Sequence, residues 1–445
     1  MASTKSTIAT QSLVDEAVAF AWEEAPGLGD HITWDSATAK KIGAQNNTGA
    51  SVSWRRPGRI RTTLTTVGQD YSLPDVVNPP VGYSTMVDAT GQLTINLRIE
   101  ANLNASIEEL TLSMTKDEMI ERHVKPAIVD AKDQMNAAIA AAIAGRAGQV
   151  FTPDTSTYPT ATAYAQQVMN TIARARAQMV DRMGASPSTA LKAITGMDLY
   201  PKLTAGVATT FHAGRNPDSL QASGRLDGFN MGAYDLYESP VLDSPAVPAA
   251  NASVVVAAPS AGVTNGLTTW AETWKLNVSG LSNSTTYPKG LKIAIASTYW
   301  IRPTTQTNLG KQVTFTLTED VTSSGSGTAT FTLSEPLVYS GNYKNVDINT
   351  AVPNGTSVSF VGAAVGASVA KPVYLFDPTA IIGCSPDVLL PAGLPYSRKF
   401  RAKNGVNFAL VQAPPNANLQ TVVKLVGFAG IAVPKPEGVS VIYGL

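Results

Sequence analysis

One stretch, TKDEMIERHVKPAIVDAKDQMNAAIAAAIAG from Thr115 to Gly145, constrains this chain more than any other. Its apolar residues Ile120, Val124, Ile128, Ala131, Met135, Ile139 and Ala142 recur at gaps of three and four, which is one face of an α-helix. Thr115 with Glu118 forms a capping box, Asp117 and Glu118 put acid in the first turn, and Gly145 then Arg146 supply a stop and a positive end. At 1.5 Å per residue the run reaches roughly 45 Å, more than twice an average helix. It is expected to act as a spine; a long bundle or coiled-coil helix is the plainer alternative. Pro126 removes a ladder hydrogen bond and crowds the preceding turn, so a bend is expected near Arg122.

With 445 residues the chain exceeds one hydrophobic core, so two or three domains are expected. Lysine plus arginine equals aspartate plus glutamate at 33 each, and only 15% of residues are charged, against roughly 25% in typical domains. Bulk charge therefore gives no sign of a nucleic-acid binder, and weak net repulsion favours association with copies of itself. The single cysteine, Cys384, excludes an intrachain disulfide or a paired-cysteine metal site and reads as a buried inert thiol. Asp15 and Glu16 interrupt what would be the apolar part of a signal peptide, and no run approaches 18 apolar residues, so a soluble protein made in the cytoplasm is expected.

Along the chain, Leu13, Ala17, Phe20 and Ala21 share a helical face that begins at Ser12 and ends before Pro26, predicting a short arm helix. Val52 to Leu64 carries Arg55, Arg56, Arg59 and Arg61 around a Pro-Gly turn, and Leu93, Ile95, Leu97 and Ile99 alternate with polar residues as a half-buried strand. These limbs frame a long projecting loop that a partner subunit would cover. The arginines read as a solvated hairpin tip or, with no interleaved aromatics, a weak nucleic-acid patch. A second helix is expected from about Thr162 to Arg182, with Tyr164, Val168, Ile172, Ala175 and Met179 on one side, and a short third from Ser188 or Thr189 to Gly196. Gly224 to Leu242 reads as a bent strand or hairpin.

At Pro245 the composition turns linker-like, and the signals that follow are β. KGLKIAIASTYWI offers a strand, and QVTFTLTED and TATFTLSEP alternate Val313, Phe315, Leu317 and Ala329, Phe331, Leu333 with threonines about an SSGSG turn, predicting a hairpin. A small barrel or sandwich of roughly 120 residues, inserted into the host domain, is expected. Four more strands follow at Val373 to Phe376, Val406 to Leu410, Thr421 to Val426 and Val439 to Tyr443.

Little here suggests catalysis. His31, His123 and His212 are far apart in sequence and in no metal-ligand spacing. Gly184 to Ser188 lacks the second glycine of a nucleophile elbow, and VGAAVGAS near Gly362 lacks the lysine of a phosphate loop. No catalytic, cofactor or metal site is expected.

Taken in order, these pieces resemble the major capsid protein of tailed bacteriophages, the Hong Kong-97 fold, in the branch with an inserted β-barrel. The arm helix, the loop limbs, the spine helix, the glycine-aromatic segment GRLDGFNMGAYDLYES, the β-rich insertion and the closing KLVGFAGIAVPKPEGVSVIYG carry the match. The resemblance implies an α+β fold: an N-terminal arm (1–50), an extended loop and its strands (51–100), a peripheral part with the spine (101–150), a first axial part and hairpin (151–245), the inserted barrel (246–370), and a second axial part with closing strands (371–445). It implies pentamers and hexamers of an icosahedral shell around double-stranded DNA touched non-specifically on the inner face, a portal and a scaffolding protein, with assembly in the host bacterial cytoplasm. The short arm points to a separate scaffold. Arg55, Arg56, Arg59 and Arg61 would then face a neighbouring subunit's acidic groups. Some members join a loop lysine to a neighbour's asparagine; here Lys40 and Lys41 precede the loop and the next lysine is Lys116, so a shell without covalent cross-links is expected. The rivals are a β-rich binding module, such as an adhesin or phage tail component, and a hydrolase.

Overall fold

The structure is a computed structural model, which describes residues 28–35, 51–53, 92–94, 97–105, 125–151, 161–183, 191–195, 230–231, 234–238, 246–248, 253–257, 272–302, 305–339, 344–361, 372–388, 396–402, 405–412 and 421–443. The arm helix, the loop arginines, His123, His212 and the bend at Arg122 lie outside these residues.

In chain order come β1 (Thr33–Trp34), β2 (Ser51–Ser53), β3 (Gln92–Thr94), β4 (Leu97–Ala105), α1 (Lys125–Ala144), β5 (Gln149–Phe151), α2 (Ala161–Met183) and β6 (Leu191–Thr195). Next are β7 (Asn230–Met231), β8 (Tyr234–Glu238), β9 (Val255–Val256), β10 (Glu272–Ser279), β11 (Thr286–Tyr287), β12 (Lys292–Ile301), β13 (Asn308–Thr316), β14 (Val321–Thr322) and β15 (Ala329–Val338). The last are β16 (Val358–Phe360), β17 (Val373–Phe376), β18 (Ile382–Cys384), β19 (Tyr396–Arg401), β20 (Asn407–Gln412), β21 (Thr421–Ala432) and β22 (Val439–Ile442). The chain divides into two compact units.

The first unit draws on Met1–Ser53, Gln92–Ala140 and Ile381–Ala432. Its main sheet has the order β1-β18-β21-β20-β19, and β4 pairs antiparallel with β21 from Thr421↔Ala105 to Ala429↔Leu97. On β21 burial alternates as period two demands, with Leu425 and Ala429 buried and Lys424 and Val426 half-buried, whereas on β20 Phe408, Ala409 and Leu410 are all buried between half-buried Asn407 and Val411. β2 and β3 pair antiparallel, Ser51↔Thr94 to Ser53↔Gln92. Ile128, Ala131, Met135 and Ile139 of α1 are buried as the periodicity predicts. The phase then drifts by one residue, so Ile143 is buried and Ala142 half-buried. Asn136 and Lys132 on the same helix hold the segment before β1, accepting from Leu28 N–H at 2.8 Å and pairing with Asp30 at 3.5 Å. Trp34 lies against Gly383, where a Cβ would come within 2.6 Å of the ring.

The second unit includes Ala141–Ala380 and Val433–Leu445. One sheet has the order β5-β22-β17-β6-β8-β7, with α2 packed against β5, β22 and the 3-10 turn Pro436–Gly438. β17 and β22 are buried at every residue, as strands covered on both faces must be. The residues expected as a third helix are strand β6, parallel to β8 and antiparallel to β17. Five residues, LKAIT, are too few for periodicity to separate helix from strand, and two strand partners decide the matter. Gly224 to Leu242 does contain a hairpin, β7 with β8.

Six of the remaining strands close a ring, β9-β10-β15-β13-β12-β16, in which the bridges Leu317↔Leu333 and Val255↔Ser357 complete the circuit, and β11 and β14 pair separately. Val256, Leu276, Val278, Ile293, Ile295, Val313, Phe315, Leu317, Phe331 and Leu333 fill it. The expected hairpin is corrected here: β13 pairs chiefly with β12 and β15 with β10, while β14, between them in sequence, pairs with β11. The linker expected at Pro245 is corrected too, because Val247, Val254 and Val256 are buried in the ring's core.

Candidate functional site

The sequence-nominated residues Arg55, Arg56, Arg59 and Arg61 lie outside the described residues, and the structure brings together a different set. It centres on the end of α1. A helix leaves its last carbonyls without intrahelical donors. Gly145 N–H returns to Ala141 O at 2.9 Å and Arg146 N–H to Ile143 O at 3.1 Å, and Ala144 O accepts a short hydrogen bond from Lys292 Nζ on β12. Lys292 also donates to Thr316 Oγ1 at 2.7 Å, and that hydroxyl donates to Ala147 O at 2.8 Å. Two residues earlier on β13, Thr314 Oγ1 accepts from Val150 N–H at 3.1 Å.

Arg182, near the end of α2, completes the junction. Its Nη1 donates to Gly148 O at 2.9 Å, its Nη2 makes a short ion pair with Glu335 on β15, and its guanidinium lies 3.6 Å from the centre of the Trp300 ring. Gly148 has no room for a side chain: a Cβ there would meet Pro436 O at 2.4 Å and Arg182 Nη1 at 2.9 Å. Arg146 reaches Ser334 O at 3.4 Å, and Arg302 pairs with Asp181 at 2.5 Å in a half-exposed position.

Burial sets the electrostatics. It drives the Lys292 pKa well below the usual lysine range, and Lys292 is only 1% exposed. Burial also pushes the Lys311 amine, 4.2 Å from the Phe151 ring centre, down to about 8. Cys384 goes the other way, to about 11, through burial and the charge of Asp35, so its thiol stays protonated and inert. Among the described residues no group of three or more His, Cys, Asp or Glu could hold a metal ion. The junction's donors are spent on carbonyls, hydroxyls and the carboxylates of Glu335 and Asp181, which suits it to holding chain segments together.

Sequence reasoning missed this junction. Thr314 and Thr316 carry the polar phase of an alternating strand and read as solvent-facing, yet they are 4% and 0% exposed because residues 144–150 lie over them. Lys292, at the start of an apolar strand, was the available signal: a lysine opening KIAIA has little room to reach water.

No protein-family model matches the chain, and no curated protein is similar to it. Among solved structures it is similar to one from Mycobacterium phage Che8 at 10% identity over 94% of this chain and 91% of that one, with a TM-score of 0.38. It is similar to the mature capsid of bacteriophage PhiM1 at 10% identity over 89% and 82%, with a TM-score of 0.37. A virus-like particle from Pyrococcus furiosus matches at 7% identity over 97% and 98%, with a TM-score of 0.39.

Proposed function

We propose that this chain is a shell-forming structural subunit, the major capsid protein of a tailed double-stranded DNA bacteriophage, assembling without covalent cross-links into pentamers and hexamers of an icosahedral shell. One topological observation carries the reading beyond the sequence resemblance. The chain leaves a sheet after β8, builds the closed ring β9 to β16, and returns to the same sheet at β17, with β6 lying between β8 and β17. This path supports an all-β domain inserted into a host domain. The β2–β3 pair, whose strands flank residues 54–91 in sequence, supports the extended loop, and the pairing of β4 with β21 joins distant parts of the chain, in keeping with a host domain around an insertion. A separate scaffolding protein and a portal belong to this proposal, as does location in the virion.

Negative-stain electron microscopy of the purified protein tests it. Closed shells or capsomer rings are expected; discrete monomers or trimers would favour the rival binding module. Replacing Arg59 and Arg61 by Ala should impair assembly of a folded subunit in a salt-sensitive way. Denaturing electrophoresis of particles should give a single band at the mass of one chain, and a ladder surviving boiling and reductant would refute the absence of cross-links.

A further inference from the structure

We propose that Gln149 and Ser440 form a buried hydration site, in which an ordered water bridges the Gln149 side-chain amide to the Ser440 hydroxyl and fastens β5 to β22. Both residues are 0% exposed. Among the described residues neither Nε2 nor Oε1 of Gln149 has a hydrogen-bond partner, and neither does Ser440 Oγ. The register puts the two side by side. β5 runs parallel to β22 with Gln149 opposite Ser440, so their side chains leave the same face of the sheet from backbones about 4.8 Å apart. Two orphaned polar groups that meet at one register position point to a shared partner.

The sheet itself does not offer that partner. On the same face the neighbours are Phe151 and Ile442, two residues further along the two strands, and Leu375, opposite Ser440 on β17, all buried and apolar. Nor can the pair satisfy itself. A primary amide carries its two donors and its carbonyl acceptor at opposite ends, and one hydroxyl serves one of those ends, so the other stays stranded against an apolar wall. A buried amide left in that state is costly and seldom kept. Water answers the need because it both donates and accepts, so it serves either end of the amide, and internal waters typically make about three hydrogen bonds to such groups. Both side chains are neutral, which favours water over an ion. The backbone on either side of Gln149 is already tied, with Gly148 O accepting from Arg182 at 2.9 Å and Val150 N–H donating to Thr314 Oγ1 at 3.1 Å. The Gln149 side chain is what remains to be satisfied at this point of the junction.

The test is a density map of the full chain, from crystals or assembled particles, at a resolution that shows ordered water. A peak is expected at about 2.7–3.2 Å from both a Gln149 amide atom and Ser440 Oγ. Gln149→Met, close in shape and apolar, should lose the peak while β5 and β22 keep their register. Urea denaturation supplies a second measurement. Ser440→Ala strands the amide and its water and should lower the midpoint, and adding Gln149→Met to it should recover part of that loss, because the stranded group is then gone. A map without the peak, a Gln149 amide turned onto other protein groups, or a double variant no better than Ser440→Ala alone would each overturn the inference. The map of the unmodified protein decides the matter even where a variant fails to fold.

Discussion

Arg182 and Glu335 lie 153 positions apart in sequence and form a hydrogen-bonded ion pair with both side chains out of water. The pair ties α2 to the six-stranded ring. Its worth lies in completeness: the guanidinium also donates to Gly148 O and lies over Trp300, so its charge is matched and most of its surface is covered.

Breaking that pair from one side should be costly. Glu335→Gln leaves a buried guanidinium without its counter-charge and should destabilise the protein by about 3–5 kcal/mol. The double variant Arg182→Met with Glu335→Leu should cost clearly less than the sum of its single changes, because neither partner is stranded. Urea denaturation of the four proteins closes the cycle. Additive single changes would remove the pair from this role.

Thr316→Val tests the end of α1. The change keeps shape while taking the donor from Ala147 O and an acceptor from Lys292, so a loss of about 1–3 kcal/mol is expected. Thr322→Val, on an exposed pair with Thr286, should stay within about 0.5 kcal/mol. Equal costs at the two sites would show that the junction contributes nothing particular.

Lys311 predicts a dependence on pH. Its amine titrates near 8 when folded and at the ordinary 10.5 when unfolded. Between those values the unfolded chain binds more protons, so this residue's contribution to stability rises with pH. Burying the charged form costs stability below pH 8, and that cost fades towards 10.5. The stability of Lys311→Met relative to the unmodified protein should therefore be greatest near neutrality and shrink by about 1–3 kcal/mol in alkali. A pH-independent difference in chemical denaturation would contradict this.

Residues 246–370 expressed alone should fold. The ring closes on itself around its own core, so dispersed amide resonances are expected. Excision takes Ala144 and Gly148 away from the ring and should return Lys292 to water, with a pKa near the ordinary lysine value. A collapsed amide spectrum would show that the ring depends on α1 and α2 for its fold.

Period and alternation were enough to set the phase of α1 from Ile128 to Ile139 and the inward residues of β13 and β15, because these depend only on which side of an element is apolar. Gly-rich and Pro-rich punctuation likewise placed β17, β20 and β22 to within two residues and the start of β21, which runs on to Ala432, six residues past the expected end. Tertiary structure alone decided that LKAIT is a strand, since a short piece takes the form its two neighbours can pair with. It alone turned Thr314 and Thr316 from a solvent face into a buried one, and it brought Lys292 to the end of α1 and Glu335 to Arg182. Local pattern records the polarity of a face but not what will arrive to cover it, and a buried polar side chain acquires its role only from that partner.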